Sequence, residues 1–413
     1  MSCSCSVAHW SRTCASVASS RSSSTECTMW VIMTGMHAEP RDIAERDTGT
    51  GTDRIRIGTI TGDGIGHEIV PATLQVVAAA IEATDRDEPE PLRIEWVPLH
   101  IGHDAIERYG TPLPDETMDS LAALPGWILG PHDNVSYPER FAGTVAPGGA
   151  IRRRFDLFAN IRPARAFAGV AATSPRMDLV VVRENTEGLY ADRNMSTGSG
   201  EFMPTPDVAL AVGLVTRRAT ERIARVAFGL ARERRRRVTI VHKANVLTLT
   251  TGLFRDVCRE VARDYPDVTV DDMHVDAAAA RLVRDGASID VLVTENMFGD
   301  ILSDLTAELA GSLGLAPSIN ASTSQVMAQA AHGAAPDIAG RGVANPAALM
   351  LSAAMMFDRL GEMRGDRRLR VVGRHVDRAV RDTIASGVAT ADLGGSASTT
   401  EFTETVLARA LRW

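Results

Sequence analysis

Residues 54–84 read RIRIGTITGDGIGHEIVPATLQVVAAAIEAT, and this stretch decides the fold. Arg54 to Thr61 is a short run rich in β-branched residues and predicts a strand; His67 to Thr84 carries Val70, Leu74, Val77 and Ile81 at helical spacing and predicts a helix. Between them stands Gly62-Asp63-Gly64-Ile65-Gly66, whose glycines permit a tight turn and close backbone approach to a ligand. The spacing is not G-x-G-x-x-G, so the turn is not that of a dinucleotide-binding Rossmann fold. Taken alone, the loop reads equally well as a plain strand-to-helix connection and as a functional one.

The same alternation continues downstream and marks an α/β protein. Further strands are expected at Trp127 to Leu129, Asp178 to Val182, Val238 to Val241 and Asp290 to Val293. Helices are expected at Val208 to Arg232, Leu247 to Asp264, Asp276 to Arg284, Asp300 to Leu313 and Pro346 to Leu360. Arg234 to Arg237, between a helix and a strand, reads as a solvated helix end rather than an anion site. No internal repeat is present.

The chain has 413 residues, 45% hydrophobic and 23% charged, which is the make-up of a globular enzyme of two to three domains. Its 44 Lys+Arg against 52 Asp+Glu give a formal charge of -8, so neither nucleic acid nor an anionic membrane is an expected partner. Four of the five cysteines, Cys3, Cys5, Cys14 and Cys27, lie in the first 27 residues, leaving only Cys258 in the body. The body thus has no disulfide framework and fits the cytoplasm. Residues 1–53, rich first in Ser, Thr, Cys and Arg and then in acids, have no sustained period and are expected to be disordered. They read as a transit-like peptide or as an extension upstream of a true start at Met29, Met33 or Met36.

Three sets of residues carry chemistry. Arginines crowd Ile151-Arg152-Arg153-Arg154 and Asn160-Ile161-Arg162-Pro163, with Arg183 further on; guanidinium forks bind carboxylates bidentately, so convergence of such arginines suits a di- or tricarboxylic acid. Asp300 and Asp304, at i and i+4, share one face at the start of a helix, and Asp276 opens another, so hard oxygen ligands are available for Mg or Mn. Each of these acids reads equally as an N-cap or first-turn residue. Lys243 is the only lysine in a chain that uses arginine at every other cationic position. An amine can lose a proton in a reaction and a guanidinium cannot, which singles Lys243 out against the alternative of chance survival. Last, His332 to Pro346 forms a Gly/Ala/Pro-rich loop that lets a planar ligand lie against the backbone, with Asp337 able to accept hydrogen bonds from a ribose diol.

From Arg54 to the C-terminus these segments resemble the isocitrate/isopropylmalate dehydrogenase family of metal-dependent β-decarboxylating dehydrogenases. The motifs are the GDGIG loop at Gly62, FANIRP at Phe158, RENTEGLY at Arg183, HKANV at His242, NMFGDILSDL at Asn296, the loop at His332, and Asp392-Leu393-Gly394-Gly395. The resemblance implies a two-domain α/β subunit, not a Rossmann fold, with 54–157 plus 311–413 as the cofactor-binding large domain and 158–310 as a small domain at the dimer interface. It implies a homodimer with shared active sites. Arg152, Arg162 and Arg183 would hold the malate part of the substrate; Asp300 and Asp304, with Asp276 of the other subunit, would bind Mg or Mn. Lys243 of the other subunit would take the hydroxyl proton, and Tyr190 would protonate the enol carbon after CO2 leaves. Ile65, His332, Gly333, Ala335, Pro336, Asp337, Ile338 and Asn345 would line the cofactor, Asp337-Ile338 resembling the NAD branch because a carboxylate repels the extra phosphate of NADP.

Three departures from the family pattern stand out, the first two bearing on local cofactor contacts and the third on the substrate. His67 stands where the family usually has Pro, and Gln329 where a Glu precedes the cofactor loop. Ala146-Pro147-Gly148-Gly149 occupies the place of the side chains that read the substrate's 3-substituent, and carries neither the Leu pair, the Ser and Asn, nor the extra Arg of the known branches. The isocitrate or homoisocitrate type ranks slightly ahead of the isopropylmalate and D-malate/tartrate types. A non-catalytic regulatory subunit would be expected to lose the metal acids, Tyr190 or Lys243, all of which are present.

Overall fold

The computed structural model describes residues 54–86, 88–190, 195 and 197–412; the readings of residues 1–53 lie outside them. In chain order the strands are β1 (Arg54–Ile60), β2 (Arg93–Leu99), β3 (Gly126–Leu129), β4 (Ala159–Arg165), β5 (Asp178–Glu184), β6 (Glu201–Thr205), β7 (Val208–Ala211), β8 (Arg237–His242), β9 (Thr269–His274), β10 (Val291–Thr294), β11 (Ile319–Ala321) and β12 (Val326–Ala328). The helices are α1 (Gly66–Asp85), α2 (Gly102–Tyr109), α3 (Asp115–Ala122), α4 (Pro147–Arg154), α5 (Arg217–Arg232), α6 (Thr250–Ala262), α7 (Val275–Asp285), α8 (Asn296–Ala310), α9 (Ala347–Arg364), α10 (Arg367–Ala385) and α11 (Thr399–Ala410).

Among the described residues, ten strands form one mixed sheet in the order β2-β1-β3-β12-β11-β4-β5-β10-β8-β9. Both wings are parallel, and antiparallel pairing of β12 with β11, β11 with β4 and β4 with β5 joins them. At that junction Asn160 donates from Nδ2 to Ser318 Oγ (2.8 Å) and Asn320 Oδ1 (3.0 Å), and Asn185 Nδ2 also reaches Asn320 (3.0 Å). This buried amide cluster ties β4, β11 and the end of β5 together across the junction, with Asn185 Oδ1 left without a partner among the described residues.

The core lies on either side of the sheet. Ala347 to Ala354, the first two turns of α9, are buried all round, as expected of an enclosed helix segment, and Met356, Phe357 and Leu360 continue the buried face while Asp358 and Glu362 are exposed. The edge strand β2 tolerates Pro98 because an edge leaves one set of amides outside the ladder.

Several expectations are corrected. Val208 to Ala211 is not helical: it is β7, paired antiparallel with β6, and α5 starts at Arg217 behind the Thr216 cap. Val-Ala-Leu-Ala fits either period, and Gly213 breaks the helix pattern. Helix α8 begins at Asn296, with the Glu295 carboxylate accepting from Met297 N and Phe298 N, so Asp300 and Asp304 lie in its second and third turns and cap nothing. The Arg234–Arg237 corner is solvated at Arg235, Arg236 and Arg237, which are exposed, but Arg234 departs from the expected solvated helix end. Arg234 Nε donates to the fully buried Asp290 (2.9 Å) and Nη2 to Asp178 (2.9 Å), while Asp290 also accepts from Arg235 N (2.9 Å).

Candidate active site

The GDGIG turn is shaped by its neighbours. A Cβ on Gly62 (φ +67°) would lie 2.0 Å from Pro131 O, and one on Gly64 (φ +55°) 2.1 Å from Ala334 O. The turn is held against the 332–346 loop and the segment after β3: Asp63 N donates to Pro131 O (2.7 Å) and Ile65 N to Ala334 O (2.9 Å). Glu68, in the first turn of α1, accepts from Gly340 N (2.6 Å) and Gly342 N (3.0 Å) of the same loop. Ile65 is buried, whereas Gly333, Pro336 and Asp337 are exposed on the rim, with Ala335 and Ile338 half-buried beside them. His332 is half-buried, and burial holds its imidazole below the usual histidine range. Asn345, expected to line the cofactor, is committed within the chain, donating to Asp392 Oδ2 (2.9 Å) and accepting from Ala347 N (3.0 Å).

The expected convergence of arginines is present. Arg152 from α4, Arg162 from β4 and Arg183 from β5 line one cleft of ≈ 810 Å³ with Tyr190, Asp300, His132, Ala146 and Gly149. Arg183 is 2% exposed; its Nε donates to Asn296 Oδ1 (2.8 Å) and its Nη1 to Asp300. Arg162 donates from Nε to Asn160 Oδ1 (2.7 Å) and from Nη1 to Ser303 Oγ (2.8 Å) and Asp304 Oδ1 (3.2 Å). Tyr190 donates its hydroxyl proton to Asp300 Oδ2. Arg152 Nη2 donates to Gln329 Oε1 (3.3 Å), so Gln329 contacts one of the three cleft arginines.

Charge is distributed unevenly over this cluster. Burial would raise the Asp300 carboxyl, but Arg183, the Tyr190 hydroxyl, Arg162 and Arg152 together hold it below the usual range. Asp304 is raised, by burial first and by Asp300 next, against the pull of Arg162. Burial and the neighbouring Arg183 lower Arg162 to about 10.

Lys243 and Asp276 form a separate pair. Lys243 follows β8, Asp276 stands in the first turn of α7, and Nζ donates to Oδ1 at 2.5 Å. That hydrogen bond is the main reason the Asp276 carboxyl lies below the usual range. His242, one residue earlier, is oriented by Asp272 (2.9 Å) and accepts from Ala244 N at Nδ1 (3.1 Å), which fixes the strand end that presents Lys243. Among the described residues no three acids, histidines or cysteines of one chain gather into a metal-holding group. One chain contributes Asp300 and Asp304 as hard oxygen donors on one helix face, and Asp276 stands elsewhere.

Asn160, Asn296 and Ser303 orient the arginines, and the sequence reading did not single them out. Asn160 was legible in principle, since it lies two residues before Arg162 on the same face of a strand.

The fold and this cleft together define a class: a mixed-sheet α/β protein whose arginine cluster suits a small polycarboxylic acid. The profile of the isocitrate/isopropylmalate dehydrogenase family matches residues 56–406, and the chain belongs to that family. It is 43% identical over 354 residues to the 3-isopropylmalate dehydrogenase of Archaeoglobus fulgidus, covering 85% of this chain and 98% of that one. It is 44% identical over 353 residues to the isocitrate/homoisocitrate dehydrogenase of Thermus thermophilus, covering 85% and 97%. The crystal structure of isocitrate dehydrogenase from Methylococcus capsulatus superposes with a TM-score of 0.76 at 40% identity, over 86% of this chain and 99% of that one. The fold is therefore the family's two-domain α/β fold, distinct from the Rossmann fold. The family comprises metal-dependent, NAD(P)-linked decarboxylating dehydrogenases of 3-substituted malates of the isocitrate type. No helix among the described residues is long and apolar enough to cross a membrane.

Proposed function

We propose that this chain is an NAD-dependent dehydrogenase that oxidatively decarboxylates a 3-substituted malate, the isocitrate or homoisocitrate type ranking ahead of 3-isopropylmalate and D-malate or tartrate. The observation that carries this reading is the convergence of Arg152, Arg162 and Arg183 on one cleft beside Asp300 and Tyr190. The three guanidinium groups bind and orient the two malate carboxylates, leaving the 2-hydroxyl directed at the acids of α8. Mg or Mn bound by Asp300 and Asp304, with Asp276 of a second copy, supplies Lewis-acid stabilisation of charge on the substrate oxygens, and NAD supplies the hydride acceptor. Lys243 of that second copy removes the hydroxyl proton as C2 is oxidised. The carboxylate on C3, now β to the new 2-oxo group, leaves as CO2, its bonding pair forming the C2–C3 enol, and Tyr190 delivers a proton to C3 of that enol. Asp337, exposed on its loop, favours NAD by repelling a 2′-phosphate.

A cytoplasmic homodimer completes the site, with 54–157 plus 311–413 as the large domain and 158–310 as the small domain at the interface. Two features support the dimer. Lys243 and Asp276 of one chain pair with each other, apart from the cluster around Asp300. Exposed apolar side chains also stand on the β6–β7 hairpin (Phe202, Met203, Val208, Leu210), before α6 (Val246, Leu249) and on α8 (Ile301), and burial against a second copy would cover them.

The test is purified protein with NAD and Mn2+ against isocitrate, homoisocitrate, 3-isopropylmalate, D-malate and tartrate, followed by NADH absorbance. Reduction with at least one acid, and weaker reduction of NADP, is expected. No turnover of any, by a dimer that binds Mn2+, would overturn the reading in favour of a non-catalytic subunit.

A further inference from the structure

The segment Ala146-Pro147-Gly148-Gly149 brings no functional side chain to the cleft, yet the structure shows what its glycine makes room for. A Cβ on Gly148 would lie 2.6 Å from His132 Nε2, so the imidazole occupies the space that any larger residue at 148 would fill. His132 follows β3 and lines the cleft with Arg152, Arg162, Arg183, Tyr190 and Asp300. It also lines an adjoining chamber of ≈ 180 Å³ with Gln329 and His332, towards the cofactor loop. Its Nδ1 is buried and makes no hydrogen bond of good geometry among the described residues, although the Asn134 side chain interacts with the ring. Burial, and then the charge of Arg152, lower the His132 pKa against the opposing pull of Asp63, Asn134 and Asp133. The ring is therefore neutral near pH 7 and offers one donor and one acceptor. An imidazole without a well-formed hydrogen bond gains one from a ligand oxygen that reaches the ring on its cleft side, where Nε2 lies against Gly148.

We propose that His132 is the specificity-determining residue of this chain, hydrogen-bonding an oxygen carried by the C3 substituent and so selecting carboxylate- or hydroxyl-bearing substituents over alkyl groups or hydrogen. The inference rests on the proposed function and names the substrate class for the same cleft. An aliphatic substituent would leave the imidazole unsatisfied, and such a loss discriminates far more sharply than one methylene in an apolar pocket.

The experiment compares kcat/KM for isocitrate, homoisocitrate, tartrate, 3-isopropylmalate and D-malate in wild type, His132→Leu, His132→Asn and Gly148→Ala. Wild type is expected to prefer an oxygen-bearing substituent, isocitrate and homoisocitrate reporting a carboxylate and tartrate a hydroxyl. His132→Leu should lower the ratio of kcat/KM for the best such acid to that for D-malate by about 10- to 100-fold. Gly148→Ala should lower the same ratio by displacing the ring, and His132→Asn, which keeps a donor, should restore part of it. If His132→Leu leaves the ratio unchanged, or lowers kcat/KM equally for all five acids, His132 is not the determinant although the proposed function stands. If wild type prefers 3-isopropylmalate or D-malate, the inference fails in the same way. If wild type turns over none of the five, the proposed function fails and this inference with it.

Discussion

At the residue scale the site separates charge that must persist from charge that must move. Arg162 and Arg183 are held by Asn160, Ser303 and Asn296, so their guanidinium planes are set before a ligand arrives. Lys243 instead makes one charged contact, with Asp276. Lys243→Arg should therefore keep the charge and the thermal midpoint but lower kcat by at least about 10²-fold, because guanidinium does not give up a proton; equal kcat in steady-state assays would remove Lys243 from the chemistry. Acid sensitivity follows from Asp300, whose folded-state pKa is depressed. The stabilisation it contributes is fully present above the unfolded value of about 3.9 and is lost as pH falls through the lower folded value. Asp300→Asn should accordingly flatten the fall in stability below about pH 4, read by urea titration at several pH values.

At the element scale, the corner between α5 and β8 holds a wholly buried carboxylate, Asp290, against Arg234 and the Arg235 amide. Removing one partner of such a pair leaves a charge without compensation, so Arg234→Ala should cost about 3 kcal/mol in a urea melt, far more than the surface arginines of α10. Helix α9 supplies the complementary apolar case. Phe357 is fully buried, and Phe357→Ala should cost about 3–5 kcal/mol in the same measurement, because the enclosed helix cannot collapse into the cavity. The β6–β7 hairpin is exposed along both strands, and among the described residues none buries its apolar side chains, which marks it as an element completed from outside.

At the scale of the whole molecule, the proposed division of the site between two copies has a direct consequence. Lys243→Met and Asp300→Asn homodimers should each be nearly inactive. When the two are unfolded and refolded together, about half the dimers are hybrids with one intact site, and about a quarter of wild-type activity should return. Activity that stays at the level of the separate variants, with hybrid dimers formed, would place all catalytic groups in one chain.

By itself the sequence determined the alternation of strands and helices, the glycine turn at 62–66, and the motifs that mark the family, because periodicity and turn chemistry are local and survive without knowledge of neighbours. Short buried strands such as β11 and β12, and the strand identity of Val208 to Ala211, were not legible, since three or four residues carry no period and only pairing partners decide them. Arg152, Arg162 and Arg183 could be nominated one by one, but their meeting in one cleft depends on β4 and β5 lying side by side at the centre of the sheet. His132 was invisible for the same reason. Its nitrogen and Gly148 lie 16 residues apart in the chain, and only tertiary packing turns the absence of a side chain at one into space for the other.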